Sequence, residues 1–327
     1  MNIWVVGAGS VGMLLAAKLA LAGHAIRLVT HSEEQAAQVA ERGLRLQQGD
    51  LLLEARPSAI SFRQLVRLIS QIPAELEKPE WILLTVKQQH LNDELIAELG
   101  KWCAEGVRLL AWQNGIGHIE RLAACIPIGR LDAAVTTEGA RKRSLTEVQH
   151  TGSGHTRVGC AVELEDAGER LKAAQQQKKL IDALGAAGFE GSLSNNMREI
   201  AWNKLLVNAV INPLTALLQV PNGQLLTLEP LMPIMRTLYE EGAAAARAED
   251  VRLQEDLWEQ VLEVCRRTAL NVSSMLQDVT AGRTTEIDWV NGALLEVARK
   301  HGLTLAANFT VYQLMKSVEA KRQQTET

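Results

Sequence analysis

Cysteine is scarce and scattered. Only four of the 327 residues are Cys (Cys103, Cys125, Cys160, Cys265), and no two form a C-x-x-C pair. That argues against a zinc site and against a disulfide framework, and it fits a chain kept reduced in the cytoplasm. A basic block is also missing. The net charge is −4, and no Lys/Arg run is interleaved with aromatics, so there is no electrostatic footprint for nucleic acid. No apolar run approaches the roughly 20 residues of a membrane span. The opening Met1-Asn2-Ile3-Trp4 has no basic leader and passes directly into a strand-like stretch. What is present, 47% hydrophobic and 22% charged residues, describes a globular chain long enough for two domains.

The first pattern to carry chemistry lies at the start. Ile3-Trp4-Val5-Val6 reads as a short buried strand, followed by Gly7-Ala8-Gly9-Ser10-Val11-Gly12 and an apolar helix to about Ala22. A G-x-G-x-x-G between a strand and a helix is a dinucleotide-binding turn. Its first glycine permits the tight turn, its second admits a pyrophosphate, and its third lets helix and strand pack. The helix N-terminus then faces the phosphate charge. The second strand, Ala25 to Val29, ends at Thr30-His31-Ser32 without an acid at its tip. An Asp or Glu there would bind the ribose 2′-hydroxyl of NAD, so its absence leans towards NADP, with His31 a weaker phosphate partner than Arg.

Further strands follow at Leu44–Gln47 and Leu51–Glu54, joined at Gln48-Gly49-Asp50. Trp81 to Val86 is continuously apolar, as expected of a central parallel strand, and Lys87 comes directly after it. Val107 to Trp112 is another such strand, followed by Gln113-Asn114-Gly115. Ligands of open α/β sheets bind beyond the carboxyl ends of the strands, so Lys87 and Asn114 fall on the same edge as the glycine loop. Either could equally be an ordinary loop residue. Leu131 to Cys160 reads as hairpins, Glu163 to Lys179 as an exposed helix, and Phe189 to Leu193 as a last strand. From Asn195 the signals are helical: about 196–211, 213–218, 229–249, 254–271, 285–301 and 307–322. The spacing thus predicts an α/β Rossmann-type domain over 1–194 and an all-α domain over 195–327, with a ligand cleft between them.

Within the helical part, Lys204, Asn208 and Asn212 are spaced i, i+4, i+8 and share one helical face. A solvated stripe is usually built from Glu, Lys, Arg and Gln, whereas Asn is a poor helix former. Two Asn and one Lys among Leu, Val and Ile suit hydrogen bonding to a ligand. Pro213 disfavours helical geometry at Asn212, so a break or kink is expected there. Ser274, three before Gln277, fits a capping box, and Glu286 fits a first helical turn.

Taken together, Gly7–Gly12, Leu84-Thr85-Val86-Lys87, Asn114-Gly115-Ile116-Gly117, Trp202-Asn203-Lys204 through Asn212-Pro213-Leu214-Thr215, Pro221-Asn222-Gly223, Ser273–Asp278 and Thr285-Glu286-Ile287-Asp288 resemble ketopantoate reductase (2-dehydropantoate 2-reductase) from the first strand to about residue 320. The resemblance implies a helical half like the C-terminal domain of 6-phosphogluconate dehydrogenase. It implies NADPH-dependent reduction of ketopantoate to pantoate in pantothenate and coenzyme A synthesis. Lys204 would be the general acid, and Asn114, Asn208, Asn212, Asn222 and Ser274 would hold the substrate. Gly7, Ala8, Gly9, Ser10, Val11, Gly12, His31, Lys87, Asn114, Ala140 and Glu286 would serve NADP(H), with no metal. Family members often carry Arg where His31 stands. The expected partner is a small keto acid; a homodimer is left open. Two other readings fit the residues: a reductase of a different substrate on the same scaffold, and a non-catalytic NADP sensor. A phosphate-bearing substrate would want an Arg cluster, and the row offers only Lys204.

Overall fold

In the computed structural model, which describes residues 1–71 and 77–323, short buried runs alternate with helices through the first two hundred residues. In chain order these are β1 (Asn2–Val6), α1 (Ser10–Leu21), β2 (Ala25–Thr30), α2 (Glu33–Arg42), β3 (Leu44–Gln48), β4 (Leu51–Ala55), β5 (Ser58–Ser61), α3 (Phe62–Gln71) and β6 (Trp81–Leu84). Then come α4 (Asp93–Ala104), β7 (Arg108–Ala111), α5 (His118–Ala123), β8 (Leu131–Thr136), β9 (Gly139–Lys142), β10 (Glu147–Gly152), β11 (His155–Cys160), α6 (Ala167–Ala186) and β12 (Glu190–Leu193). Side-chain caps start the helices where the sequence offers them: Ser32 accepts from the Gln35 amide, Asn92 from Leu95, and Asp166 from Glu169.

The eight-stranded sheet runs β12-β11-β8-β7-β6-β1-β2-β5. Only the β8–β11 pair is antiparallel. β6 and β7 are buried along their whole length, as parallel strands covered on both faces must be. The expected hairpin region is divided between two sheets. β8 and β11 extend the main sheet, whereas β9 and β10 join β3 and β4 in a second sheet of order β4-β3-β10-β9. That division was not foreseen, because β10 pairs in parallel with β3, about a hundred residues earlier. The small sheet packs on α1, whose residues Gly12 to Leu19 are all buried. Lys18, the one cation in that stretch, donates to the Gly188 carbonyl at 2.9 Å and lies 4.2 Å from the Phe189 ring centre.

The chain divides into two compact units, Met1–Gln113 with His118–Met197, and Asn114–Gly117 with Arg198–Thr327. The second is helical: α7 (Met197–Leu218), α8 (Leu231–Ala248), α9 (Leu257–Arg267), α10 (Ser274–Thr280), α11 (Asn291–His301) and α12 (Ala306–Gln323). Short 3-10 turns lie at Asn222–Leu226 and Ile287–Trp289. Three expectations need correction. First, α7 runs through Pro213 without a break. Proline removes the N–H that would bond the Ala209 carbonyl, and the Asn291 side chain supplies that donor instead, at 3.0 Å. Apolar residues on both sides of the proline, Leu205, Leu206, Ala209, Val210 and Ile211 before it and Leu214 and Ala216 after it, are buried and hold the helix together. Second, the cap of α10 is Ser273 rather than Ser274; its hydroxyl accepts from the Leu276 amide. Third, Glu286 precedes a 3-10 turn, and α11 begins only at Asn291.

Candidate functional site

The glycine loop leaves β1 with Gly7 at φ +116°, a conformation that favours glycine. A Cβ on Gly7 would lie 2.7 Å from the Val86 nitrogen, and one on Gly12 would lie 1.9 Å from the Gly7 oxygen. These two glycines are demanded by packing. Gly9 differs: a Cβ there would meet nothing within 4 Å. Open space over Gly9, at the N-cap of a twelve-residue helix with no acid in its first turn, fits the approach of a pyrophosphate. The residues present therefore suit a dinucleotide.

Three residues to which the sequence assigned no role hold this loop in shape. The Thr85 hydroxyl lies 2.8 Å from the Gly7 carbonyl and donates to it. The Ala8 carbonyl accepts from Gln35 Nε2 at 3.3 Å and from Lys142 Nζ at 3.0 Å. The Ser10 hydroxyl accepts from the Lys142 backbone amide at 3.0 Å. Thr85 was visible inside the Leu84–Lys87 block. Gln35 and Lys142 carry no local signal, since their partners lie 27 and 134 residues away.

β6, β1 and β2 are parallel neighbours, so their carboxyl ends share one edge. His31 stands exposed just past β2, and half-buried Lys87 follows three residues after β6. His90, in the turn after Lys87, lies with its ring centre 6.5 Å from that of His31, the planes inclined by 24°. Burial lowers the His90 pKa, and the neighbouring His31 and Lys87 lower it further. Ala140 is half-buried on β9 of the small sheet, paired with His150.

The second unit gathers the polar row. α7 is continuous from Lys204 to Asn212, so Lys204, Asn208 and Asn212 stack on one face. Lys204 Nζ donates to Asn114 Oδ1 at 2.7 Å, and Asn114 Nδ2 donates to Glu286 Oε2 at 3.1 Å. The Asn114 amide thus joins the lysine to the acid. Burial lowers the Lys204 ammonium from its usual 10.5 to about 8, with Glu286 opposing the fall. Thr215, one turn beyond Ile211, lies 2.7 Å from the Ser273 hydroxyl and bonds it, tying α10 to α7 and leaving Ser274 exposed. Asn222 is buried; its Nδ2 donates to the Thr268 hydroxyl at 2.8 Å, so half of its amide serves the fold. The geometry joins Lys204, Asn114 and Glu286 by direct hydrogen bonds and aligns Asn208 and Asn212 with them along the helix. It does not show Asn222 or Ser274 bonded to that row.

A glycine-loop α/β unit followed by a helical unit bearing a lysine–asparagine row is the architecture of a Rossmann-like oxidoreductase. The model of the ketopantoate reductase PanE/ApbA family matches residues 3–163, and that of its C-terminal domain matches residues 196–319. The chain belongs to the ketopantoate reductase family. It is 34% identical to the 2-dehydropantoate 2-reductase of Vibrio cholerae, over 98% of each chain. Among solved structures, it is similar to a PanE/ApbA family ketopantoate reductase from Ralstonia eutropha, with TM-score 0.84 and 26% identity over 99% of this chain and all of that one. It shares its fold with a D-mandelate dehydrogenase solved with NADH and anilino(oxo)acetate, at TM-score 0.85 and 24% identity over 99% of this chain and all of that one.

Proposed function

We propose that this protein is an NADP(H)-dependent 2-dehydropantoate 2-reductase in which Lys204 is the general acid. The observation that carries the reading is the chain of hydrogen bonds from Lys204 through Asn114 to Glu286. A bound nicotinamide cofactor supplies the hydride, and the glycine loop, Lys87, His31 and Ala140 would hold it.

Reduction of a ketone places negative charge on its oxygen, which a nearby donor must neutralise. Lysine has three N–H donors, and Asn114 Oδ1 takes one of them, which orients the ammonium. With its pKa near 8, Lys204 remains mostly protonated at neutral pH yet gives up its proton more readily than an ordinary lysine. The proton passes from Nζ to the alkoxide oxygen as the hydroxy acid forms, and solvent reprotonates the amine. Glu286 anchors the Asn114 amide and sustains the positive charge. Asn208 and Asn212, and beyond them Ser274 and the remaining acceptor of Asn222, offer donors and acceptors for a carboxylate and a hydroxyl without adding net charge.

The test follows NADPH absorbance with purified protein and ketopantoate, beside NADH and other 2-keto acids. Turnover concentrated on ketopantoate with NADPH is the expected result. Turnover of another keto acid alone would keep the mechanism and replace the substrate. Tight NADPH binding without any turnover would overturn the reading in favour of a sensor.

A further inference from the structure

We propose that His31 and His90 form a paired-imidazole seat for the 2′-phosphate of the adenosine ribose, so that NADPH binding, unlike NADH binding, takes up protons. The inference rests on the reading above that the chain takes NADP(H), and it adds a residue, His90, that no strand-tip pattern marks.

Three observations place the seat. The ribose of a Rossmann-bound dinucleotide lies at the end of the second strand, where a cation nearby suits the 2′-phosphate. Here that position carries His31, whose backbone is fixed on both sides: the Thr30 hydroxyl donates to the Ser32 carbonyl at 2.7 Å, and Ser32 caps α2. The second imidazole, His90, comes from the loop after β6 and stacks on the first. Finally, Gln89 Nε2 lies 3.1 Å from His90 Nε2, and Gln89 Oε1 is buried with no partner among the described residues. An amide can turn end for end. Gln89 can therefore donate to a neutral His90 or, turned, accept from a protonated one.

Charged groups of both signs lie on the neighbouring elements: α2 begins with Glu33 and Glu34, α3 has Arg63 in its first turn, Lys87 precedes His90, α4 begins with Asp93 and Glu94, and Arg121 of α5 donates to the Leu91 carbonyl beside His90 and pairs with Asp93. Burial, and after it the neighbouring His31 and Lys87, hold the His90 pKa down. A phosphate dianion reverses that balance, since an opposite charge at contact distance favours the imidazolium. The His90 pKa is then higher in the complex than in the free protein. Affinity for NADPH is greatest below the free-state pKa and declines as pH rises through the bound-state value. The slope is at most about tenfold per pH unit for each proton taken up.

The experiment measures the Kd of NADPH and of NADH by fluorescence titration from pH 5.5 to 8.5, with calorimetry in buffers of differing ionisation enthalpy to count protons. No keto acid is present, so failure of the proposed reaction and failure of this seat are separate results. The wild type is expected to bind NADPH several-fold to tenfold more weakly per pH unit above neutrality, with proton uptake, while NADH stays flat. His90→Gln should reduce the slope, and His31→Gln with His90→Gln should abolish it. His31→Arg, with a charge that does not titrate, should bind NADPH tightly at pH 8.5. An NADPH profile as flat as that for NADH, or a slope retained in the double variant, would overturn the proposal.

Discussion

In the proposed reaction Lys204 serves as an acid only while it holds its proton, and its lowered pKa, about 8, places that limit inside the working range of pH. Because the protonated amine is the active form for reduction, kcat at saturating NADPH and keto acid should fall as pH rises through about 8. Oxidation of the hydroxy acid needs the neutral amine, so its rate should rise over the same interval. Parallel pH profiles in the two directions would contradict the assignment. Lys204→Ala should lower kcat by a factor on the order of 10² or more and remove that limb of the profile. Asn114→Ala removes the hydrogen bonds to Lys204 and Glu286 and should shift the limb as well as lower the rate. The lysine was legible in the sequence through its spacing with Asn208 and Asn212. Its bond to Asn114 was not, because the two lie 90 residues apart.

At the scale of elements, α7 shows how a local rule yields to packing. Proline inside a helix ordinarily costs about 3 kcal/mol or more. Here the orphaned Ala209 carbonyl is met by Asn291, which also donates to Asn308 Oδ1 at 2.9 Å, and both asparagines are fully buried. Asn308 in turn donates to the Leu238 carbonyl and to Glu241, so one polar network fastens α7, α8, α11 and α12. Asn291→Leu leaves two buried acceptors without donors and should cost about 1–3 kcal/mol for each, seen as a lower urea midpoint. Adding Pro213→Ala restores the helix N–H and should recover part of that loss. Additive effects of the two changes would mean that the asparagine does not stand in for the missing amide. The glycine loop permits a similar contrast. Gly9→Val adds its side chain in open space and should fold normally but fail to bind NADPH; Gly12→Val would collide with the Gly7 carbonyl and should destabilise the free protein.

For the whole molecule, binding and stability are linked. A cofactor held at a hundred times its Kd stabilises the native state by about 2.7 kcal/mol. Thermal melts should therefore rise with NADPH in the wild type and stay level in Gly9→Val, and a rise in that variant would remove the glycine loop from the binding site. The main sheet has its own polar anchor: Arg108 of β7 bonds Asp132 of β8 through Nε and Nη2 at 2.9 and 2.7 Å, and Gln177 of α6 donates to the other carboxylate oxygen. Both charged groups are buried, so this pair joins adjacent strands without facing solvent. All four cysteines are free. Among the described residues no helix is long and apolar enough to cross a membrane, and no cluster of His, Cys, Asp and Glu could hold a metal.

By itself, the sequence determined what depends on near neighbours. Periodicity marked the strands and helices, the Gly7–Gly12 spacing marked the tight βα turn after β1, and the i, i+4, i+8 row marked one polar face of α7. Each of these is a short-range property, since a helix turn or a βα turn is specified within a dozen residues. Only the tertiary structure decided what depends on distant partners. It sent β9 and β10 into a sheet with β3 and β4, carried α7 through Pro213 on the strength of Asn291, and placed Lys142 and Gln35 on the Ala8 carbonyl. It also set His90 against His31 and moved the Lys204 pKa by burying its charge. These outcomes turn on which groups lose water and which find a hydrogen-bond partner across the fold, and no local stretch of sequence specifies that.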